Sequence, residues 1–122
     1  MALGKIKADT LEHSTAGSLD TSYVVNGVEK CWVNLNGTGT IAIRGSLNVA
    51  SLTDDGTGDY QINYVSAAAD LNYSSRAVSN QYHCIITNGL KATSSNNVRT
   101  YNSSHSSDDP AQVNYGFLGD LA

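Results

Sequence analysis

Short runs of alternating apolar and polar residues recur along this chain, and clusters of glycine, asparagine, aspartate and serine separate them. The alternation is most regular over Tyr60–Tyr64, where Tyr60, Ile62 and Tyr64 share one face and two amide side chains point the other way. A two-residue period of this kind is typical of a half-buried antiparallel strand. Because no helical period is sustained and proline occurs only at Pro110, the pattern predicts an all-β chain.

The pattern predicts about seven to nine short strands, which is the layout of an antiparallel β-sandwich or a Greek-key barrel. A parallel βαβ fold is excluded because the crossover helices that it needs between strands are missing from the pattern. We expect strands over residues 28–35, 40–44, 47–52, 60–64, 71–74, 76–79, 82–87, 97–102 and 112–118.

Two further expectations for the first half of the chain come from its turn residues and from the side of the strand on which each side chain falls. Asn36-Gly37 follows the strand at 28–35, and an Asn-Gly pair supplies the positive-φ positions that a hairpin needs. The strand at 47–52 is expected to carry Leu47, Val49 and Ser51 at alternate positions and therefore on one face.

The N-terminal segment has too little apolar surface to fold by itself. Residues 5–11 alternate only weakly, and the polar linker 14–22 follows them. We therefore predict that residues 5–11 form either a peripheral strand or an arm laid against a neighbouring subunit. The predicted division is an N-terminal arm or attachment strand over residues 1–27 and a β-sandwich domain over residues 28–122. Residues 1–9 lack the apolar stretch of a signal peptide, and no run of about 18 apolar residues is present. The chain is expected to be made in the cytoplasm and not to enter a membrane.

Charged residues make up 15% of the chain, against about 25% in typical soluble domains. The seven lysines and arginines are scattered, and the formal net charge is −4. Binding to nucleic acid or to anionic lipid needs clustered cations, so neither partner is expected. A surface rich in Ser, Thr, Asn and Gly instead suits subunit contacts and polar ligands such as glycans.

The acidic turn Asp54–Asp59 has three carboxylates within six residues, and oxygen ligands of this kind can hold Ca²⁺. The spacing of an EF-hand loop and its closing glutamate are absent, however. The favoured interpretation is a hairpin turn in which aspartates accept hydrogen bonds from nearby amides while Gly56 and Gly58 take positive φ.

Histidine, serine and cysteine give no convincing catalytic or metal-binding pattern. His13, His83 and His105 show no metal-ligand spacing, and no serine lies in a Gly-x-Ser-x-Gly elbow. Cys31 and Cys84 fall within predicted strands, where free buried thiols are favoured over a disulfide in a protein made in the cytoplasm. We therefore assign no catalytic, cofactor-binding or metal-binding residue, expect no cofactor, and expect the protein not to be an enzyme.

Aromatic residues divide into two groups by their position in the pattern. Tyr60, Tyr64 and Tyr115 are in phase with apolar neighbours, so packing in a core or an interface is favoured for them. Tyr82 and Tyr101 are candidates for stacking on sugar rings, within a polar loop set around residues 79–82 and 94–107. Trp32 faces away from Cys31 and Val33, so a second sheet or a second subunit would have to cover one of the two faces.

The stretch Trp32–Arg44, Trp-Val-Asn-Leu-Asn-Gly-Thr-Gly-Thr-Ile-Ala-Ile-Arg, is followed at Asn48–Tyr60 by Asn-Val-Ala-Ser-Leu-Thr-Asp-Asp-Gly-Thr-Gly-Asp-Tyr. Together they resemble a recurring module of bacteriophage tail fibres and related virion appendages, notably those of marine and cyanobacterial phages. The resemblance covers about residues 30–75, and Gly4–Leu11 also resembles the start of such proteins. It implies a location in the virion, a homotrimeric assembly and contacts with other phage tail or capsid proteins, and the family has no catalytic residues to carry over.

Fibres of this type usually carry a long N-terminal region before the module, whereas here only the residues before Cys31 precede it. We therefore expect a short fibre, a knob or a fibre tip on the tail or capsid, which could contact host surface glycans. One alternative is a capsid decoration or cement protein that stabilises the head without binding a receptor. A second is a glycan-degrading enzyme, which is disfavoured because the clustered acid pairs of glycosidases are absent.

Overall fold

The computed structural model describes Gly4 and residues 6–122, apart from the side chain of Asn88. Residues 1–3 and 5 lie outside the described residues, and part of the predicted arm and the start of the strand predicted at 5–11 lie there with them. The described residues form strands joined by turns, one short α-helix and one 3-10 turn. The elements are β1 (Thr10–His13), β2 (Gly17–Asp20), α1 (Thr21–Gly27), β3 (Cys31–Asn36), β4 (Ala42–Leu47), β5 (Val49–Gly56), β6 (Asp59–Tyr64), β7 (Ser74–Ser79), β8 (His83–Ile86), the 3-10 turn (Asn88–Leu90), β9 (Ser95–Tyr101) and β10 (Val113–Leu118).

Two four-stranded antiparallel sheets form the body of the protein. One sheet has the strand order β4-β3-β10-β7 and the other has the order β5-β6-β9-β8. The prediction of an all-β antiparallel sandwich is thereby confirmed, and its eight sandwich strands agree with the predicted number. Neighbouring strands such as β3 and β10 are far apart in sequence, so the pairing is largely non-local.

The inward faces of the two sheets share one core. Alternate residues of β3, β6, β9 and β10 point into it, as the two-residue period predicts. Burial of these apolar side chains is the main force that holds the sheets together. The fully or nearly fully buried apolar residues are Cys31, Val33, Leu35, Tyr60, Ile62, Tyr64, Ala68, Tyr73, Val98, Val113, Tyr115 and Phe117.

The N-terminal segment has more secondary structure than the sequence predicted. Its first strand, β1, starts at Thr10 and overlaps only the end of the segment 5–11, and the prediction of a polar linker at 14–22 was wrong, because these residues contain β2 and the start of α1. β1 and β2 pair only with each other, in a hairpin whose Gly17 has φ of 92°. Turn residues at 14–17 explain the hairpin, but nothing in the sequence signals α1, which lacks a side-chain cap. No helix in the described part of the chain is long and apolar enough to span a bilayer.

The strand predicted at 47–52 is divided between the two sheets. Asn48 adopts φ of 58° and carries the chain from β4 to β5. A register shift between Val49 and Ser51 then exchanges the faces of β5 on which the following side chains lie. As a result Leu52, and not Ser51, pairs with Ile62 and packs against the core. The sequence shows the alternation but not this bulge, which reverses the face that later side chains occupy.

The loop between β3 and β4 is held by contacts rather than by the predicted positive φ at Gly37. Gly39 takes the positive φ, at 69°. At Gly37 a side chain would collide with the Tyr60 hydroxyl and the Pro110 carbonyl, so glycine is needed there for close approach. Of the two strands predicted at 71–74 and 76–79, only the second is present, as β7, which starts at Ser74; residues 71–73 are not in a strand.

The long loop before β10 is fastened to the β5–β6 turn. Asp109 Oδ1 accepts hydrogen bonds from the Gly58 amide at 2.7 Å and from the Tyr60 hydroxyl at 2.8 Å. Pro110 follows in a fully buried position. This polar segment is therefore an ordered part of the sandwich, and its anchoring closes one end of the core.

Candidate functional site

The N-terminal hairpin and helix expose almost all of their side chains. We call residues 6–28 the arm. Apart from Thr21, which is half-buried, every residue in it is exposed. A two-stranded hairpin and a helix of seven residues are each marginal in water without further packing. The exposed large apolar residues of the arm are Ile6, Leu11, Leu19, Tyr23, Val24, Val25 and Val28.

The arm also carries an open hollow of about 670 Å³. Residues of its first segment, including Ile6 and Leu11, face Val24 and Val25 of α1 across it. These four apolar side chains are exposed.

The outward face of β5-β6-β9-β8, which we call the Arg99 face, carries polar groups that bind one another. Arg99 Nε donates to Asp59 Oδ2 at 2.7 Å, and Asn97 Nδ2 donates to Asp55 Oδ2 at 2.9 Å and to Asp59 Oδ1 at 3.2 Å. Asn63 Nδ2 likewise donates to hydroxyls of β5. Charge-assisted bonds of this kind make a stable water-facing surface.

The outward face of β4-β3-β10-β7, which we call the Trp32 face, is built differently. Leu47, Trp32, Gly116 and Arg76 form one row across the four strands. Trp32 is 40% exposed, Leu47 50% and Val78, in the neighbouring row, 61%. The indole edge of Trp32 extends over Gly45 on one side, and on the other side the Glu29 carboxylate lies over Gly116.

A groove of about 350 Å³ runs between Trp32 and β7. We call it the Trp32 groove. Trp32 forms one wall, Arg76 and Val78 form the other, and Asn114 and Gly116 lie between them. The groove therefore combines an aromatic surface with polar groups, which is the usual composition of a small-molecule site.

The polar groups of the Trp32 groove form two pairs. Arg76 Nη2 lies 2.6 Å from Glu29 Oε1, and the Glu29 carboxylate lies across Gly116, where a Cβ would collide with it. Asn34 Nδ2 donates to Asn114 Oδ1 at 2.7 Å. The buried Asn34 Oδ1 has no hydrogen-bond partner among the described residues, and buried acceptors are rarely left in that state.

The loop set predicted to contact glycans is only partly a loop. Residues 95–101 are β9, whose residues from Ser95 to Val98 are buried, so much of the predicted 94–107 segment cannot contact a ligand. Tyr82 is 72% exposed and lies beside Asn80 and Gln81 at the start of β8. Tyr101 is half-buried and pairs with His83.

Two of the three histidines contact each other, and the third lies apart from them. His83, at the start of β8, packs on His105 of the loop after β9 with ring centroids 4.5 Å apart, a contact that the sequence did not signal. His13 Nδ1 accepts the Ala16 amide at 3.1 Å and thereby supports the β1–β2 turn. Among the described residues no three His, Cys, Asp or Glu side chains converge as a metal site would require.

The acidic turn is the hairpin that the sequence favoured. Asp54 Oδ1 accepts the Gly56 amide at 3.1 Å, and Gly56 and Gly58 have φ of 128° and 66°. The interpretation of the aspartate as a turn residue is confirmed. Asp55 and Asp59, in contrast, face the side chains of β9 described above.

Both cysteines are free thiols, at the positions in strands that the sequence predicted. Burial, with a smaller contribution from the Glu29 charge, raises the pKa of Cys31 to about 12. Burial raises the pKa of the half-buried Cys84 to about 11. Thiols with raised pKa values carry little thiolate near neutral pH, so neither is a candidate nucleophile.

Tyr60, Tyr64 and Tyr115 are buried, as the sequence favoured. Two of them, Tyr64 and Tyr115, form a polar cluster with Tyr73, whose burial was not predicted. Tyr64 lies 2.5 Å from Tyr115 and 3.3 Å from Tyr73, measured between hydroxyl oxygens. Asn96 Nδ2 donates to the Tyr115 hydroxyl at 3.3 Å. Burial raises the pKa of Tyr64, Tyr73 and Tyr115, so the cluster is neutral and structural.

Comparison with known proteins gave no match to a protein family, to a curated protein or to a solved structure. The geometry of the chain is therefore the basis for any functional interpretation. Sequence reasoning identified Trp32 as an outward-facing residue but did not find the groove beside it. The groove depends on the non-local register that places Gly116 next to Trp32, and the glycine at 116 was its only local signal.

Proposed function

We propose that this protein is a structural, non-catalytic component of a bacteriophage virion, a short fibre or knob that assembles through its arm into a homotrimer. The observation that carries the proposal is the arm, with seven large apolar side chains exposed and a hollow of about 670 Å³ between them. A surface of this kind typically marks a protein interaction site.

The sandwich supports the same proposal because it is well packed without the arm. Its core is continuous and its long loop is fastened by Asp109, so it does not need the arm for its own packing. The arm is connected to it through residues 28–30, where the Lys30 ammonium donates to the Val25 carbonyl. A stable body with an apolar extension fits a subunit that is joined to its neighbours by the extension.

The resemblance of residues 30–75 to a tail-fibre module supports a virion location. A capsid decoration protein that stabilises the head without binding a receptor is the second candidate. It would use the arm in the same way, but it would have no use for an aromatic groove on the sandwich.

Light scattering after size-exclusion chromatography of the full chain tests the assembly. We expect a mass of three times 12.9 kDa at micromolar concentration. Val25→Ser should shift the mass towards the monomer, because it places a hydroxyl on the apolar surface of the arm. Val65→Ser is the matched control, since Val65 is also exposed but lies on the sandwich after β6.

A single monomeric species of the unmodified chain at this concentration would contradict self-assembly through the arm. An equal change in mass for Val25→Ser and Val65→Ser would show that the arm is not the contact. The virion location is tested separately by labelling phage particles with an antibody against the chain, where labelling of the tail or the head surface is expected.

A further inference from the structure

We propose that the Trp32 groove binds a neutral pyranose ring, which stacks on the indole of Trp32 and is held by hydrogen bonds to Arg76, Glu29 and Asn114. This inference rests on the proposed virion role and deepens it, because it assigns the contact with a host surface glycan to one site on the sandwich.

The apolar part of the argument is the position of Trp32. Trp32 is 40% exposed and forms one wall of the groove. Its direct partners across the sheet are Leu47 on β4 and Gly116 on β10. Gly116 has no side chain to project between Trp32 and Arg76, and the Glu29 carboxylate lies over it. The C–H face of a sugar ring is apolar and flat, and it can stack on the indole from the groove side.

The polar part is the mixture of donors and acceptors on the opposite side. Arg76 has only donors, Glu29 only acceptors, and the Asn114 amide has both. Asn114 uses Oδ1 to accept from Asn34, which leaves its amide N–H groups for a ligand. Sugar hydroxyls donate and accept at the same time, so a ring with several hydroxyls matches this set.

The charges favour a neutral sugar over an acidic one. Arg76 and Glu29 are 2.6 Å apart and cancel each other's charge within the groove. An anionic sugar would gain from Arg76 but would be repelled by the neighbouring carboxylate. A neutral ring can hydrogen-bond to both groups without disturbing the pair.

A protein partner fits the groove less well than a sugar does. The ion pair is half exposed, with 58% of the Arg76 side chain and 32% of the Glu29 side chain accessible to water. An apolar protein surface closing over it would remove that water without replacing its hydrogen bonds, which is costly. Sugar hydroxyls replace them, and a volume of about 350 Å³ lies at the lower end of the range for small-molecule sites.

Trp32 is the only tryptophan in the chain, so its fluorescence reports directly on the groove. The full-length protein is titrated with the methyl glycosides of glucose, galactose, mannose and N-acetylglucosamine. We expect a saturable change in emission with at least one of them, with a dissociation constant on the order of 1 mM for so small a ligand. Light scattering on the same samples follows the assembly independently.

Arg76→Ala should weaken the binding by about tenfold or more, because it removes charge-assisted hydrogen bonds to the sugar. Arg44→Ala is the matched control, since Arg44 is an exposed arginine on the same sheet but outside the groove. Trp32→Ala should abolish binding, which is then measured by calorimetry because the reporter is lost. In all three variants the oligomeric mass should equal that of the unmodified chain.

Three results would overturn the proposal. One is the absence of any saturable signal with the four glycosides and with a glycan array. Another is an emission of Trp32 that changes with protein concentration and not with sugar, which would mean that a second copy covers the face. The third is an equal loss of binding in Arg76→Ala and Arg44→Ala. The first and third results leave the arm-based assembly standing if the scattering mass is trimeric. After the second result, the mass of Val25→Ser decides whether the arm is also a contact between copies, so the two proposals fail separately.

Discussion

The outward faces of the two sheets differ although both sheets contribute to the same core. On the Arg99 face, Arg99 and Asn97 donate to the carboxylates of Asp55 and Asp59, so that the polar side chains bind one another. On the Trp32 face, an indole and two aliphatic side chains are exposed next to a groove. Both sheets face water in the single chain, so the fold alone does not require this difference.

Scattered exposed apolar residues are ordinary, but an aromatic residue beside a polar groove is a candidate site. The Arg99 face also has a hollow, of about 290 Å³, beside Asp59, Arg99 and Tyr101. It differs from the Trp32 groove because its charged side chains are held by several hydrogen bonds to one another and it exposes no tryptophan. The arm joins the sandwich through Glu29, which lines the Trp32 groove, so the two candidate contact regions are adjacent.

The largest effect should come from the core that both faces share. Phe117 is fully buried and packs on Tyr64 and Tyr73, with ring centroids 4.9 and 4.7 Å away. Phe117→Ala should lower the free energy of unfolding by about 3–5 kcal/mol, measured by urea unfolding. Val78→Ala on the Trp32 face should cost less than about 1 kcal/mol. If both substitutions lowered the free energy of unfolding equally, Val78 would contribute to stability as much as a core residue does, and the Trp32 face would be structural.

Alkaline pH should unfold the sandwich through its inner tyrosines. Burial raises the pKa of Tyr60, Tyr64, Tyr73 and Tyr115 above the ordinary value of about 10. The unfolded chain releases these protons first, so stability is retained below about pH 10 and falls as the pH rises above it. As the pH rises, the tyrosinate absorbance of the four buried tyrosines should therefore appear at the same pH at which the far-UV circular dichroism of the fold is lost. Ionisation of all seven tyrosines with the dichroism intact would contradict their buried positions.

The Tyr115 hydroxyl should contribute a smaller but measurable stability to the core. Tyr115→Phe removes a partner of the Tyr64 hydroxyl and of the buried Asn96 amide. Each group keeps one longer contact, Tyr64 with the Tyr73 hydroxyl and Asn96 with Ser75 Oγ. The loss should therefore be about 1 kcal/mol, which urea unfolding would detect. Tyr82→Phe is the control, because the Tyr82 side chain is exposed. An unchanged stability for Tyr115→Phe would show that the hydroxyl cluster is dispensable.

The two ion pairs, Arg99–Asp59 and Arg76–Glu29, should differ slightly in how much they stabilise the fold. Asp59 accepts from both Arg99 and Asn97, and its side chain is 17% exposed, whereas Glu29 is 32% exposed. Asp59→Asn should lower the midpoint of thermal unfolding more than Glu29→Gln does, because exposed pairs are screened by water and salt. If Glu29→Gln is the more destabilising change, then the Glu29–Arg76 pair is structural, and its assignment to ligand binding is weakened.

The sequence predicted the class of fold because the two-residue period is a local property. Tyr60, Ile62 and Tyr64 point inward as the pattern required, and Trp32 lies on the opposite side of β3 from Cys31 and Val33. The hairpin at Asp54–Asp59 was predictable for the same reason, since a turn is specified by its own residues. These features need no knowledge of distant strands.

The parts that the sequence did not reveal depend on non-local contacts or on single backbone positions. The bulge near Ala50 and the positive φ of Asn48 change which side chains of β5 face the core. The Trp32 groove requires β3, β10 and β7 to lie side by side in one register, although they are widely separated in the chain. Helix α1 is seven residues long and contains β-branched valines, which have low helix propensity, so the composition of this segment did not predict a helix.

Hydroxyl-radical footprinting of the full chain at low and high protein concentration, with and without sugar, tests the contrast between the surfaces most directly. We expect Tyr23 and Val25 to become protected as the concentration rises, Trp32 to become protected only when the sugar is added, and Ile85, which is exposed on the Arg99 face, to be labelled equally throughout. Protection of Ile85 together with unchanged labelling of the arm and of Trp32 would contradict this account.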